Sequence, residues 1–104
     1  MARYIDITVV EFCDSKEELL LDLYFESRYE DERYDILKKL VKIGGCRALG
    51  VIALSGMYED ERKCAMKGLG RLGGRSGACV LAEVAKESRY EDERQLARDM
   101  LVGC

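Results

Sequence analysis

Apolar residues recur at helical spacing in three stretches of the chain: Ile36, Leu37, Leu40 and Ile43; Ala65, Met66, Leu69 and Leu72; Ala97, Met100 and Leu101. Steps of three and four place each set on one face of a helix. Each stretch follows the same pentapeptide, YEDER, at 29 to 33, 58 to 62 and 90 to 94. A longer match, FESRYEDER against KESRYEDER, and the answering pair IGG and LGG extend the likeness beyond it. Self-similarity at this period predicts helical units stacked side by side.

Helix ends are marked as well. Ser27 with Glu30 and Ser88 with Glu91 have the spacing of a capping box, and Gly56 is an acceptable cap at the matching place, so helices are expected from near 28, 57 and 89. Gly44-Gly45 and Gly73-Gly74 are positioned to stop the first two. Between them a shorter helix is expected in each unit: Ser15 to Glu26, opened by Ser15 and Glu18, then Cys46 to Leu54 and Gly77 to Glu87. Residues 1 to 12 read two ways, as a strand from their β-branched content or as a degenerate first helix with Ile5, Val9 and Phe12 on one face. The helix is favoured, because a lone strand would have no sheet to join. The expected architecture is an all-α, α-solenoid domain of about three helix pairs, divided as 1-27, 28-56, 57-88 and 89-104.

This placement decides the meaning of GLGRLGG at 68 to 74, which matches G-x-G-x-x-G. A dinucleotide turn follows a strand and opens a helix. Here the glycines close a helix, so they read as a turn at Gly73-Gly74 and as close helix contacts at Gly68 and Gly70.

The segment 51 to 74 resembles the short HEAT-like repeats first associated with phycobilisome lyases, whose consensus is R-x-x-A-x-x-x-L-G-x-L-G. Arg62, Ala65, Leu69, Gly70, Leu72 and Gly73 match it throughout. The first unit keeps Arg33, Leu40 and Gly44 with Ile36 in place of the alanine, and the third keeps Arg94, Ala97 and Leu101. The resemblance spans 15 to 104 and departs where the family has proline and aspartate and this chain has the YED of YEDER. It implies that Arg33, Arg62 and Arg94 form a structural ladder by pairing with acids of adjacent repeats. It also implies that the short helices line a concave surface, and two activities follow by analogy: protein binding, or a bilin lyase or lyase accessory.

Composition narrows the chemistry. With 48% apolar and 36% charged residues the chain has a globular balance. Histidine is absent, which removes the commonest general base and the imidazole metal ligands. Five cysteines without a C-x-x-C pair suggest neither a disulfide framework nor a zinc site, and they read as small, reduced core residues. No cofactor is implied. No apolar run approaches the roughly 18 residues of a membrane span, and the start lacks a signal-peptide pattern, so a cytoplasmic location is expected.

The acidic triplets 30-32, 59-61 and 91-93 are expected along one edge, at helix starts where negative charge is favoured. Lys38, Lys39, Lys42, Arg47, Lys67, Arg71 and Arg75 gather toward the other edge. A net charge of -3 and no interleaved aromatics argue against nucleic acid. The helix at 47 to 54 has hardly any polar face, so it is either enclosed by its neighbours or exposes an apolar strip; enclosure is favoured. An exposed strip at Val51 and Leu54, rimmed by Asp22, Glu83 and Glu87, is the candidate site for a protein partner. The primary expectation is thus a non-catalytic adaptor or scaffold. Self-assembly through the apolar C-terminal helix face is a further candidate.

Overall fold

The structure is a computed structural model and describes residues 15–103. The expectation for residues 1 to 12 lies outside them, as do Cys13 and Cys104. Among the described residues there are six helices and no strand: α1 (Ser15–Glu26), α2 (Glu30–Lys42), α3 (Cys46–Ser55), α4 (Glu59–Leu72), α5 (Gly74–Glu87) and α6 (Glu91–Gly103).

Their packing follows a simple rule. Each helix touches its neighbours in sequence and the helices two places away, and no others. Odd helices therefore form one layer, α1 against α3 against α5, and even helices a second, α2 against α4 against α6. The core lies between the layers. Leu37 and Leu40 of α2, Leu49 and Ile52 of α3, Met66 and Leu69 of α4, Leu81 and Val84 of α5 and Ala97 of α6 are all buried there. Of the periodic apolar positions read from the sequence, Ile36, Leu37, Leu40, Ala65, Met66, Leu69 and Ala97 are buried, Leu72, Met100 and Leu101 are half-buried and Ile43 is 39% exposed; removing the buried ones from water supplies the main drive for folding. The stack is elongated, 41 × 27 × 20 Å.

The even helices start two residues later than expected, at 30, 59 and 91. Tyr29 and Tyr58 are the N-cap residues, with extended backbone and no capping side chain. Neither capping box forms. Ser27 Oγ accepts the Tyr29 N–H at 3.3 Å and donates to Glu32 Oε1 at 2.8 Å, and Ser88 Oγ accepts the Tyr90 N–H. The serines sit two residues before the cap position, too early to reach the amides a cap would satisfy. The shift is the same in all three even helices, and two of the tyrosines it leaves outside the helix, Tyr58 and Tyr90, have a second task described below.

At the other ends the glycines act as the sequence suggests. Gly44 takes φ +71°, its N–H bonds to the Val41 carbonyl, and the Gly45 N–H bonds to the Leu40 carbonyl. This pair of bonds is the Schellman closure of a helix. At the second corner both Gly73 and Gly74 have positive φ, so the chain turns between α4 and α5 in a single residue. One consequence corrects the reading of short second helices. The chain re-enters helix at Gly74, not Gly77, and α5 has the same 14 residues as α4.

Glu17 joins the first pair of odd helices. Its Oε2 accepts the Ala48 N–H at 2.7 Å, so a carboxylate from α1 caps the N-terminus of α3, where free amides and the helix dipole favour negative charge.

Candidate interaction surface

The YEDER pentapeptide builds a joint between consecutive even helices. Arg33 of α2 crosses to α4, where its Nε lies 2.9 and 3.1 Å from the two oxygens of Glu61. Its Nη1 donates to the Ser27 carbonyl, and its guanidinium carbon lies 4.5 Å from the centre of the Tyr58 ring. One unit later Arg62 repeats the arrangement. Nε and Nη2 each donate to Glu93 at 2.9 Å, Nη1 donates to the Gly56 carbonyl, and the guanidinium lies 4.3 Å from the Tyr90 ring. Tyrosine as stacking face, glutamate as acceptor and arginine as donor to the next unit thus account for three of the five letters.

The first joint has an additional member. Tyr24 of α1 donates its hydroxyl to Glu61 Oε1 at 2.5 Å. Burial, and then the hydrogen bond to that carboxylate, push the Tyr24 phenol above its ordinary range. The hydrogen bonds to Glu61 and Glu93 raise Arg33 and Arg62, outweighing the opposing effect of burial. These pairs are charge-assisted and nearly dry, the glutamates each 1% exposed. Arg94 donates to the Ser88 carbonyl at 2.6 Å, as its counterparts do to theirs.

Burial of Glu61 and Glu93 corrects the expected acidic edge. The third residue of the second and third triplets points inward, whereas Glu30, Asp31, Glu32, Glu59, Asp60, Glu91 and Asp92 are exposed. On the far side Lys38, Lys67 and Arg71 are exposed and act together on the Cys64 thiol, which burial nevertheless holds above its usual range. Burial also raises Cys46. Cys79 departs from the expected core role, since it is exposed; all three are free thiols.

Of the proposed partner-binding residues, Asp22, Glu83 and Glu87 are exposed on α1 and α5. On α3 the apolar run divides: Leu49 and Ile52 are enclosed, Leu54 is half-buried against the core, and Val51 is 38% exposed. All five lie on the odd layer. Glu83 lines a cleft of about 390 Å³ with Cys79, Val80, Ala82 and Lys86. A second cleft, of about 400 Å³, lies where the α1–α2 and α3–α4 turns meet; Phe25, Met57 and Tyr58 give it apolar walls beside Arg28 and Arg33. The sequence reading missed this cleft, and it missed Tyr24, Glu61, Glu93, Tyr58 and Tyr90 as members of the joints. The signal available for the last four was their invariant place one and four residues before the arginine.

No group of three or more His, Cys, Asp or Glu side chains among the described residues is arranged to hold a metal ion. No helix among them is long and apolar enough to cross a membrane. Comparison of the chain with family models, curated proteins and solved structures gave no match.

Proposed function

We propose that the protein is a short α-solenoid of HEAT-like helix pairs that acts as a non-catalytic interaction module, binding another protein on the odd-helix layer. The observation that carries this reading is the joint itself. The same Arg–Glu–Tyr contact occurs twice in register between even helices, which fixes the spacing of the layer on which α1, α3 and α5 pack as a preformed face. A surface ordered in advance binds without the cost of arranging its own elements. Val51 supplies an apolar centre to that face, and Asp22, Glu83 and Glu87 a charged rim suited to a basic partner. A lyase role rests on the family resemblance alone, and likeness of fold is weak ground for activity.

The test is affinity capture from native lysate at low and high salt with wild-type protein, Val51→Glu, Glu83→Lys and Lys67→Glu. The expected result is a partner weakened roughly tenfold or more by the first two, about 1.4 kcal/mol, and unaffected by the third. A partner lost only with Lys67→Glu would place the site on the basic edge and overturn the assignment.

A further inference from the structure

We infer that the partner of the odd layer is a basic amphipathic helix laid along α3, with its apolar stripe on Val51 and Leu54 and its lysines or arginines paired with Asp22 on one side and with Glu83 and Glu87 on the other. This rests on the odd-layer reading and names the kind of partner that face accepts.

The argument starts from register. Asp22, Val51 and Glu83 each stand four residues before the end of their helix, so they occupy matching places on α1, α3 and α5, and all three are exposed. Four residues earlier the matching places hold Glu18, Arg47 and Cys79, and at the helix ends Ser55 and Glu87 follow on α3 and α5. The two helices pack closely, since a Cβ added to Gly50 of α3 would come within 2.5 Å of Val80 Cγ1 on α5. The outcome is an uncharged strip along α3 beyond Arg47, with carboxylates on both flanks. Lys86 lies exposed between Glu83 and Glu87 and leaves that flank acidic on balance.

The chemistry of the strip selects a helix over an extended chain. From 48 to 54 no side chain of α3 carries a hydrogen-bonding group, so a segment lying there must satisfy its own backbone amides and carbonyls. A helix does this internally, whereas an extended peptide would set them against valine and leucine. Width agrees. Packed helices lie about 8–10 Å apart, which puts the two acidic flanks roughly 16–20 Å from each other, and a helix with its side chains is about 10–12 Å across. Cations on both sides of its apolar stripe reach the flanks, because the long stems of lysine and arginine span the remaining distance.

Charge sets the placement and the salt response. Arg47 is the only charged residue of α3 and stands in its first turn, so the partner's cations belong beside Val51 and toward Ser55. Exposed carboxylates attract them in a way that weakens as salt rises, while the apolar stripe retains part of the affinity at high salt.

The probe is a fluorescein-labelled helical peptide of about 18 residues, long enough to span α3, built from alanine, leucines three and four places apart, and lysines on both sides of the leucines. Its anisotropy is titrated with the full chain at low and high salt, beside a scrambled peptide of the same composition. The expected result is binding roughly tenfold or more tighter than that of the scrambled peptide, and weakened by a similar factor with Val51→Glu and with the pair Asp22→Lys and Glu83→Lys. The pair Glu30→Lys and Glu91→Lys makes the same change in net charge on the even helices and should move the affinity by about twofold or less. Circular dichroism confirms helix content, and where a double variant fails to fold its single substitutions decide. Equal binding of the two peptides overturns the inference, as does equal loss with the two charge-matched pairs or an affinity that the odd-layer substitutions leave unchanged. Absence of probe binding, while the partner captured from lysate is still lost with Val51→Glu and Glu83→Lys, overturns this inference alone and leaves the odd-layer reading standing. Loss of that partner only with Lys67→Glu overturns both.

Discussion

Arg62 and Glu93 meet where water is almost excluded, their side chains 7% and 1% exposed, with both guanidinium bonds at 2.9 Å. Such a pair adds little net stability compared with apolar residues of the same volume, yet losing one partner strands a charge. Glu93→Leu should therefore destabilise the protein by about 3–5 kcal/mol, much of the ~5–15 kcal/mol that holds a domain together. The double variant Arg62→Met with Glu93→Leu should recover most of that loss, as read by urea denaturation of all three proteins. Equal losses in the single and double variants would contradict this account of the joint. The exposed pair Lys63–Glu59, 2.8 Å apart but 34% and 54% exposed, belongs to the class worth only about 0.3–0.5 kcal/mol. An arginine at this place suggested an acidic partner, but three acids precede each arginine and composition does not choose among them. Helix phase chooses. The residue immediately before the arginine is the one buried against the previous even helix, whereas Asp92, which also reaches Lys63 of α4 at 3.8 Å, stays exposed.

Within an element the decisive quantity is how closely its neighbour approaches. The sequence reading assigned close approach to both Gly68 and Gly70, and the structure supports it at one. A Cβ on Gly68 would meet Val41 Cγ2 at 2.7 Å, whereas on Gly70 it would lie at an ordinary 3.8 Å from Met100 Sδ. Gly70→Ala should accordingly stabilise α4, by up to about 1 kcal/mol of recovered helix propensity. Gly68→Ala should destabilise the protein unless combined with Val41→Ala, which makes room. Thermal melts of the three variants check the signs, and stabilisation by Gly68→Ala alone would mean that Val41 yields freely. Nothing local separates the two glycines, which stand two residues apart in one helix. Their difference lies in which face each presents to α2 and α6, a matter of packing.

At the scale of the whole molecule, contacts run only between near neighbours, so stability should vary along the stack. Among the described helices, α3 and α4 are each touched by four others, while α1 and α6 are each touched by two. Native-state hydrogen exchange should show the slowest amides in α3 and α4 and the fastest in α1 and α6, as local opening follows local packing. Uniform protection across all six would show instead a single cooperative unit.

The chain's own pattern determined the helices and most of their core positions, because period and glycine act over a few residues. It determined the stops at Gly44 and Gly73 for the same reason, since positive φ is a property of one residue and its neighbours. The tertiary structure alone decided that Glu61 and Glu93 are buried while their neighbouring acids are exposed. Those outcomes depend on contacts 28 to 31 residues apart in the chain, such as Arg33 with Glu61 and Arg62 with Glu93. Only the packed stack brings Arg33 over the Tyr58 ring and Arg62 over Tyr90.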